Sequence, residues 1–143
     1  MENKIHETRM RVKYYETDAM AIVHHSNYIR FFETARTEMI RSLGYSYAEM
    51  EESGIWIPVL SVSCNYKTPA VYDEEISVFC SIKKLGPASF EIEYEVRNTA
   101  DGTLHATGTS KHGFTDKNLK PIALKKVRPE IYDLFQKCLI CEK

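Results

Sequence analysis

The sequence predicts an α+β fold, a five-stranded antiparallel sheet on one long helix, from three observations. Helical periodicity persists in one long segment, residues 26–43. Four later segments carry strand spacing. No helix separates those four, whereas parallel pairing would need a crossover of a dozen or more residues between strands.

Each element has a local cause. Residues 6–15 partly alternate, with Met10, Val12 and Tyr14 on one face and Arg9, Arg11 and Lys13 on the other, and read as a first strand. From Ser26 or Asn27 the spacing turns helical: Tyr28, Phe31, Phe32, Ala35, Met39, Ile40 and Leu43 share one stripe. Gly44 stops this helix as a C-terminal cap. Ser46 and Glu49 form a capping box for a short second helix that ends at Gly54. Strands are expected over residues 56–67, 74–85, 88–98 and 103–115. Gly86-Pro87 and Asp101-Gly102 are tight-turn signals, so the last three strands should pair as antiparallel hairpins. A final helix opens at Pro129 and runs through Ile131, Leu134 and Phe135. A helix of about 17 residues is roughly 25 Å long, the width of about five strands, so it can lie across one sheet face. That leaves sheet edges uncovered, and the long strand at 88–98 would be exposed without a second chain. A homodimer at least is expected.

Composition narrows the function. At 143 residues, 43% hydrophobic and 27% charged, the chain suits one domain, residues 1–143. A net charge of −1 and a pI near 6.5 exert no pull on nucleic acid. No apolar run approaches the ~18 residues of a membrane span, and the N-terminus lacks a signal-peptide core, so a soluble, cytoplasmic protein is expected. Cys64, Cys80, Cys138 and Cys141 are scattered as in a reduced compartment. Cys138 and Cys141 form a C-x-x-C that closes a helix rather than opening one, which suits neither redox nor zinc chemistry.

The chemistry concentrates in "YYETDAMAIVHHSNYIRFFETAR", residues 14–36. Asp18 lies eight residues ahead of the long helix, among Ala19, Met20, Ala21, Ile22 and Val23. A carboxylate in such company is expected to be partly desolvated and therefore more basic. The helix start offers the complement, because its first N–H groups lack internal partners and carry the positive end of the dipole. Together they could attack a carbonyl and hold its oxyanion. The alternative is that Asp18 caps a turn and His24 and His25 are surface residues.

The run Asp18-Ala19, Val23, His25 and Tyr28, flanked by "RVKYYETD" and "FFETARTEMIRSLG", resembles the signature of the 4-hydroxybenzoyl-CoA thioesterase superfamily, nearest its Tol-Pal-associated acyl-CoA thioesterase subgroup. Residues 59–78, "VLSVSCNYKTPAVYDEEISV", extend the likeness over nearly the whole chain. The resemblance implies the hotdog fold, a helix wrapped by an antiparallel sheet, assembled as dimers and usually tetramers. It implies an acyl-CoA substrate, hydrolysis to free acid and coenzyme A, and no cofactor or metal. Asp18 falls on the catalytic carboxylate, nucleophile or general base. His25 falls on the position whose N–H polarises the thioester carbonyl, and its side chain is a second catalytic candidate. Tyr28 is implied to pack the helix beside the substrate. The family often has glycine between the aspartate and the helix; Met20 and Ala21 stand there instead. Alanine lacks glycine's access to positive φ, so a different loop path or a narrower acyl pocket is expected.

Other residues admit two readings. Ser63 and Asn65, with Cys64, could line the substrate pocket, or simply alternate along a strand. Glu33 reads as helix surface, with a neighbouring subunit's site as the alternative. Lys117, Lys120, Lys125, Lys126 and Arg128 could meet coenzyme A phosphates or form a solvated loop. His105 and His112 are seven apart on one strand, hence on opposite faces, as structural or solvated residues. The competing functions are a non-catalytic hotdog module that binds an acyl thioester, as a sensor or acyl-carrier-protein partner, and a hotdog dehydratase, which would need a different His and acid placement.

Overall fold

The computed structural model describes residues 5–140. In chain order these are β1 (His6–Arg11), a 3-10 turn (Tyr14–Glu16), α1 (Ser26–Ser42), α2 (Tyr47–Glu52), β2 (Val59–Tyr66), β3 (Glu75–Leu85), β4 (Ser89–Asn98), β5 (Leu104–Gly113), α3 (Leu124–Val127) and α4 (Pro129–Gln136). The five strands form one antiparallel sheet in the order β1-β3-β4-β5-β2. α1 packs on it, which is the hotdog arrangement.

Local chemistry explains most boundaries. α1 buries Tyr28, Phe31, Phe32, Ala35, Met39 and Ile40, the stripe its spacing predicts. Gly44 follows with φ of 103°, a left-handed conformation that glycine reaches without steric cost. At α2, Ser46 Oγ accepts from the Glu49 N–H at 3.0 Å and Glu49 Oε1 accepts from the Ser46 N–H at 2.8 Å. β1 stops short of the expected Tyr15, because the Glu16 carboxylate takes the Lys13 N–H at 2.8 Å and closes the 3-10 turn. Tyr14 is thereby turned to solvent rather than into the core. The α3 turn has no counterpart in the predicted elements.

On β4, Phe90, Ile92, Tyr94 and Val96 are buried and alternate with more accessible residues. The Phe32 ring stacks on Tyr94 with centroids 4.3 Å apart. Arg36, a buried cation on the apolar stripe, donates to the Tyr47 hydroxyl at 3.0 Å and the Tyr94 hydroxyl at 3.1 Å.

The expected exposed strand is also overturned. β4 is not an exposed edge, since β3 and β5 flank it. β2 does not pair with its sequence neighbour β3 but crosses to the far side of β5, so the edges are β1 and β2. β2 is accessible along nearly its whole length, with Val59, Leu60, Val62 and Tyr66 exposed. No helix among the described residues is long and apolar enough to cross a membrane. Cys64 is half-buried and Cys80 and Cys138 are buried; Cys141 lies outside the described residues.

Candidate active site

Asp18 opens a miniature hairpin. Thr17 and Val23 pair antiparallel, the Asp18 N–H donates to the Ile22 carbonyl at 2.9 Å, and the Ala21 N–H donates to the Asp18 carbonyl at 2.9 Å. Asp18 Oδ1 accepts the Met20 N–H at 2.9 Å, which orients the carboxylate; Oδ2 has no hydrogen bond among the described residues. The apolar enclosure expected of this stretch is not there within one chain. Asp18 is half-buried, while Ala19, Met20 and Ala21 are exposed at the hairpin tip because the tight turn points them outward. Ala21 adopts φ of 65°, the left-handed conformation that glycine reaches without steric cost. An L-residue in this conformation is strained.

The hairpin's second arm leads into α1. Asn27 is buried, and its Nδ2 donates to the Glu16 carbonyl at 2.8 Å, fastening the helix start to the turn before Asp18. The Ser26 N–H donates to His24 Nδ1 at 3.2 Å, the Asn27 N–H to the His24 carbonyl at 2.9 Å and the Tyr28 N–H to the His25 carbonyl at 3.3 Å. His24, one residue ahead of the N-cap His25, thus takes two N–H groups of the first turn. The His25 N–H has no partner among the described residues, as expected of a helix N-terminal donor left for solvent or ligand.

Asp18 and His25 line the same cleft of about 270 Å³, with Tyr28, Tyr66, Lys67 and Thr68 among its other walls. The Tyr66 hydroxyl donates to the His25 carbonyl at 3.1 Å, and the Tyr28 and Tyr66 rings meet edge to face with centroids 5.3 Å apart. Burial holds the Tyr28 phenol above its ordinary value, so it stays protonated. Its near-complete burial makes it a packed wall. Ser63 and Asn65 lie elsewhere. They pair with Thr109 and Thr107, and line a cleft of about 340 Å³ with Glu93 and Glu95. Within one protomer that cleft has no wall in common with the Asp18 cleft. Cys64 and Tyr66, one residue out of phase, take the side facing α1.

The residues after Tyr66 that complete the wall carry no signal in the sequence beyond their proline. Lys117, Lys120, Lys125, Lys126 and Arg128 do not line the cleft. Glu33 is exposed on α1. Neither His105 nor His112 is solvated. His105 is buried against Glu74 and Thr68, and His112 is buried with Nε2 2.7 Å from Ser110 Oγ.

The chain as a whole is similar to known proteins. Residues 12–135 match the model of the thioesterase-like superfamily. An acyl-CoA thioesterase of Haemophilus influenzae, YbgC, is 30% identical over 119 residues, 82% of this chain and 86% of that one. Among solved structures, the DHNA-CoA thioesterase of Staphylococcus aureus superposes with a TM-score of 0.86 at 34% identity, over 93% of this chain and 89% of that one. A solved Aquifex aeolicus protein gives 0.80 at 36% identity, over 88% and 98%. With the family model spanning the Asp18 hairpin, α1 and the whole sheet from β2 onward, the chain belongs to the thioesterase-like superfamily.

Proposed function

We propose that the protein hydrolyses an acyl-CoA thioester to the free acid and coenzyme A. The observation that carries the reading is the pairing, on one cleft, of a carboxylate with a free oxygen and a helix-start N–H with no partner among the described residues. In this reading the His25 N–H donates to the thioester carbonyl oxygen, and the positive end of α1 stabilises the charge that develops there. Asp18 then either attacks the carbonyl carbon or takes a proton from a water that does so. Collapse of the tetrahedral intermediate breaks the C–S bond and releases the coenzyme A thiol; on the nucleophilic route the acyl group then remains on Asp18 as a mixed anhydride, which water hydrolyses to the free acid and the Asp18 carboxylate. The His25 side chain, exposed at the cleft, is the candidate donor to the departing sulfur. Tyr28 walls the acyl side. Ser63 and Asn65 enter only through an assembly in which their cleft adjoins another copy's Asp18 cleft, and the exposed β2 edge supports such a homodimer or tetramer. Coenzyme A as the carrier is supported by the H. influenzae and S. aureus relatives.

The test is thiol release from a panel of acyl-CoAs by the wild type and Asp18→Asn. The substitution keeps the size of the side chain and removes its charge. kcat should fall at least ~100-fold, while affinity for a non-hydrolysable acyl-CoA thioether changes little. A wild-type rate in the mutant would make Asp18 a turn residue. Tight thioether binding without turnover by the wild type would make the protein a non-catalytic binding module.

A further inference from the structure

Behind the cleft wall, Glu74 and His105 form a buried pair far apart in sequence, with side chains 10% and 5% exposed. His105 Nε2 is hydrogen-bonded to Glu74 Oε2, which also accepts from Asn98 Nδ2 at 2.7 Å. Glu74 Oε1 accepts the Val71 N–H at 3.0 Å. His105 Nδ1 lies 3.1 Å from both the Thr68 carbonyl oxygen and Thr68 Oγ1. That hydroxyl spends its own hydrogen on the Leu104 carbonyl at 2.7 Å, so Nδ1 faces two acceptors and carries a proton. Each polar atom of the pair is therefore matched.

Two of the residues held this way, Val71 and Thr68, belong to the segment beside Asp18. Val71 pairs with Ile22, the Ala70 carbonyl accepts the Val23 N–H at 2.9 Å, and the Ile22 carbonyl accepts the Asp18 N–H at 2.9 Å. Thr68 itself lines the cleft. A backbone-bonded path thus runs from the Glu74 carboxylate through Val71 and Ile22 to Asp18. The hairpin that carries Asp18 is short, its tip is exposed and one residue is strained, so it needs an outside reference to hold one geometry. A buried ionisable pair is a poor source of stability, since apolar residues of equal volume often do as well. A fully satisfied one does specify a single arrangement.

We propose that Glu74 and His105 are positioning residues that set the Asp18 hairpin, and with it the reach of the carboxylate to the carbonyl, through the Thr68–Val71 segment. The proposal rests on the reading of Asp18 as the reacting carboxylate.

The experiment compares His105→Gln, His105→Asn and Glu74→Gln with the wild type and Asp18→Asn, measuring kcat, KM, thioether affinity and melting temperature. A glutamine amide nitrogen reproduces the Nε2 donor to Glu74; an asparagine amide nitrogen reproduces the Nδ1 donor to Thr68. His105→Gln should keep most of kcat. His105→Asn leaves the Glu74 carboxylate without its histidine donor, and Glu74→Gln removes the carboxylate. Both should lower kcat about tenfold or more with KM and thioether affinity nearly unchanged, because small misplacements of a reacting group act on turnover. A purely structural pair would lower the melting temperature of all three without separating Gln from Asn in kcat. If Asp18→Asn is inactive while folded His105→Asn or Glu74→Gln turns over at the wild-type rate, the positioning role is overturned and the Asp18 reading stands. If Asp18→Asn is fully active, the reading beneath it has failed instead.

Discussion

Phe32 occupies the space that a side chain at residue 108 would need: a Cβ built on Gly108 would lie 2.4 Å from Phe32 Cε2 and 2.6 Å from the Ser63 carbonyl oxygen. α1 sits this close to β5 because Gly108 has no Cβ, and the ring then lies flat on Tyr94. Gly108→Ala should destabilise the fold by about 1–3 kcal/mol through overpacking, and Phe32→Ala by about 3–5 kcal/mol through the lost ring and its cavity. The double mutant should fall short of their sum, because removing the ring relieves one of the two clashes. Urea denaturation of the three variants checks this; an unchanged midpoint for Gly108→Ala would place α1 farther from the sheet.

Ala21 offers a gain instead of a loss. At φ of 65° it bears the left-handed strain of an L-residue, about 1–2 kcal/mol, which glycine escapes. Glycine's more flexible unfolded chain returns about 0.4–1 kcal/mol of that. Ala21→Gly should therefore stabilise by up to about 1.5 kcal/mol, read as a raised melting temperature. Ala21→Val should do the opposite.

His112 ties stability to pH. It is fully buried beneath Phe90, and burial together with the Arg36 charge, against an opposing contact with the Pro58 backbone, pushes its pKa down to about 3 from 6.5. The native state thus keeps His112 neutral at pH values where the unfolded chain already protonates it. Its stability contribution is complete above about 6.5 and is lost progressively as pH falls toward about 3. Between pH 7 and pH 5 this amounts to about 2 kcal/mol. His112→Phe should flatten the wild type's decline over that interval by this amount. Parallel pH profiles for the two proteins would show that another group controls it.

Assembly is the remaining expectation. β2 presents unpaired backbone and exposed Val59, Leu60 and Val62 at a sheet edge, a surface suited to pairing with a second copy. Sedimentation should report a dimer or tetramer, and Leu60→Lys should shift it toward monomer. A monodisperse wild-type monomer that still hydrolyses acyl-CoA would contradict the proposed assembly.

What the sequence by itself determined is what depends on near neighbours. The α1 stripe, its Gly44 stop, the Ser46–Glu49 capping box and the β3-β4-β5 hairpins all have their determinants within a few residues or one turn. The Asp18–His25 juxtaposition was legible for the same reason, since one short segment carries both. Tertiary structure decided what depends on partners far along the chain. β2 lies beside β5 rather than β3, and so became the exposed edge in place of β4. The phase of β2 is itself local, since Leu60, Val62, Cys64 and Tyr66 alternate with Ser61, Ser63 and Asn65, but only pairing with β5 placed Tyr66 at the Asp18 cleft and Ser63 and Asn65 in another. His105 found Glu74, and His112 found the interior, for the same cause. A side chain's local pattern states how much of it should be buried, whereas which group it meets there is fixed by strand order and register, which arise from long-range pairing.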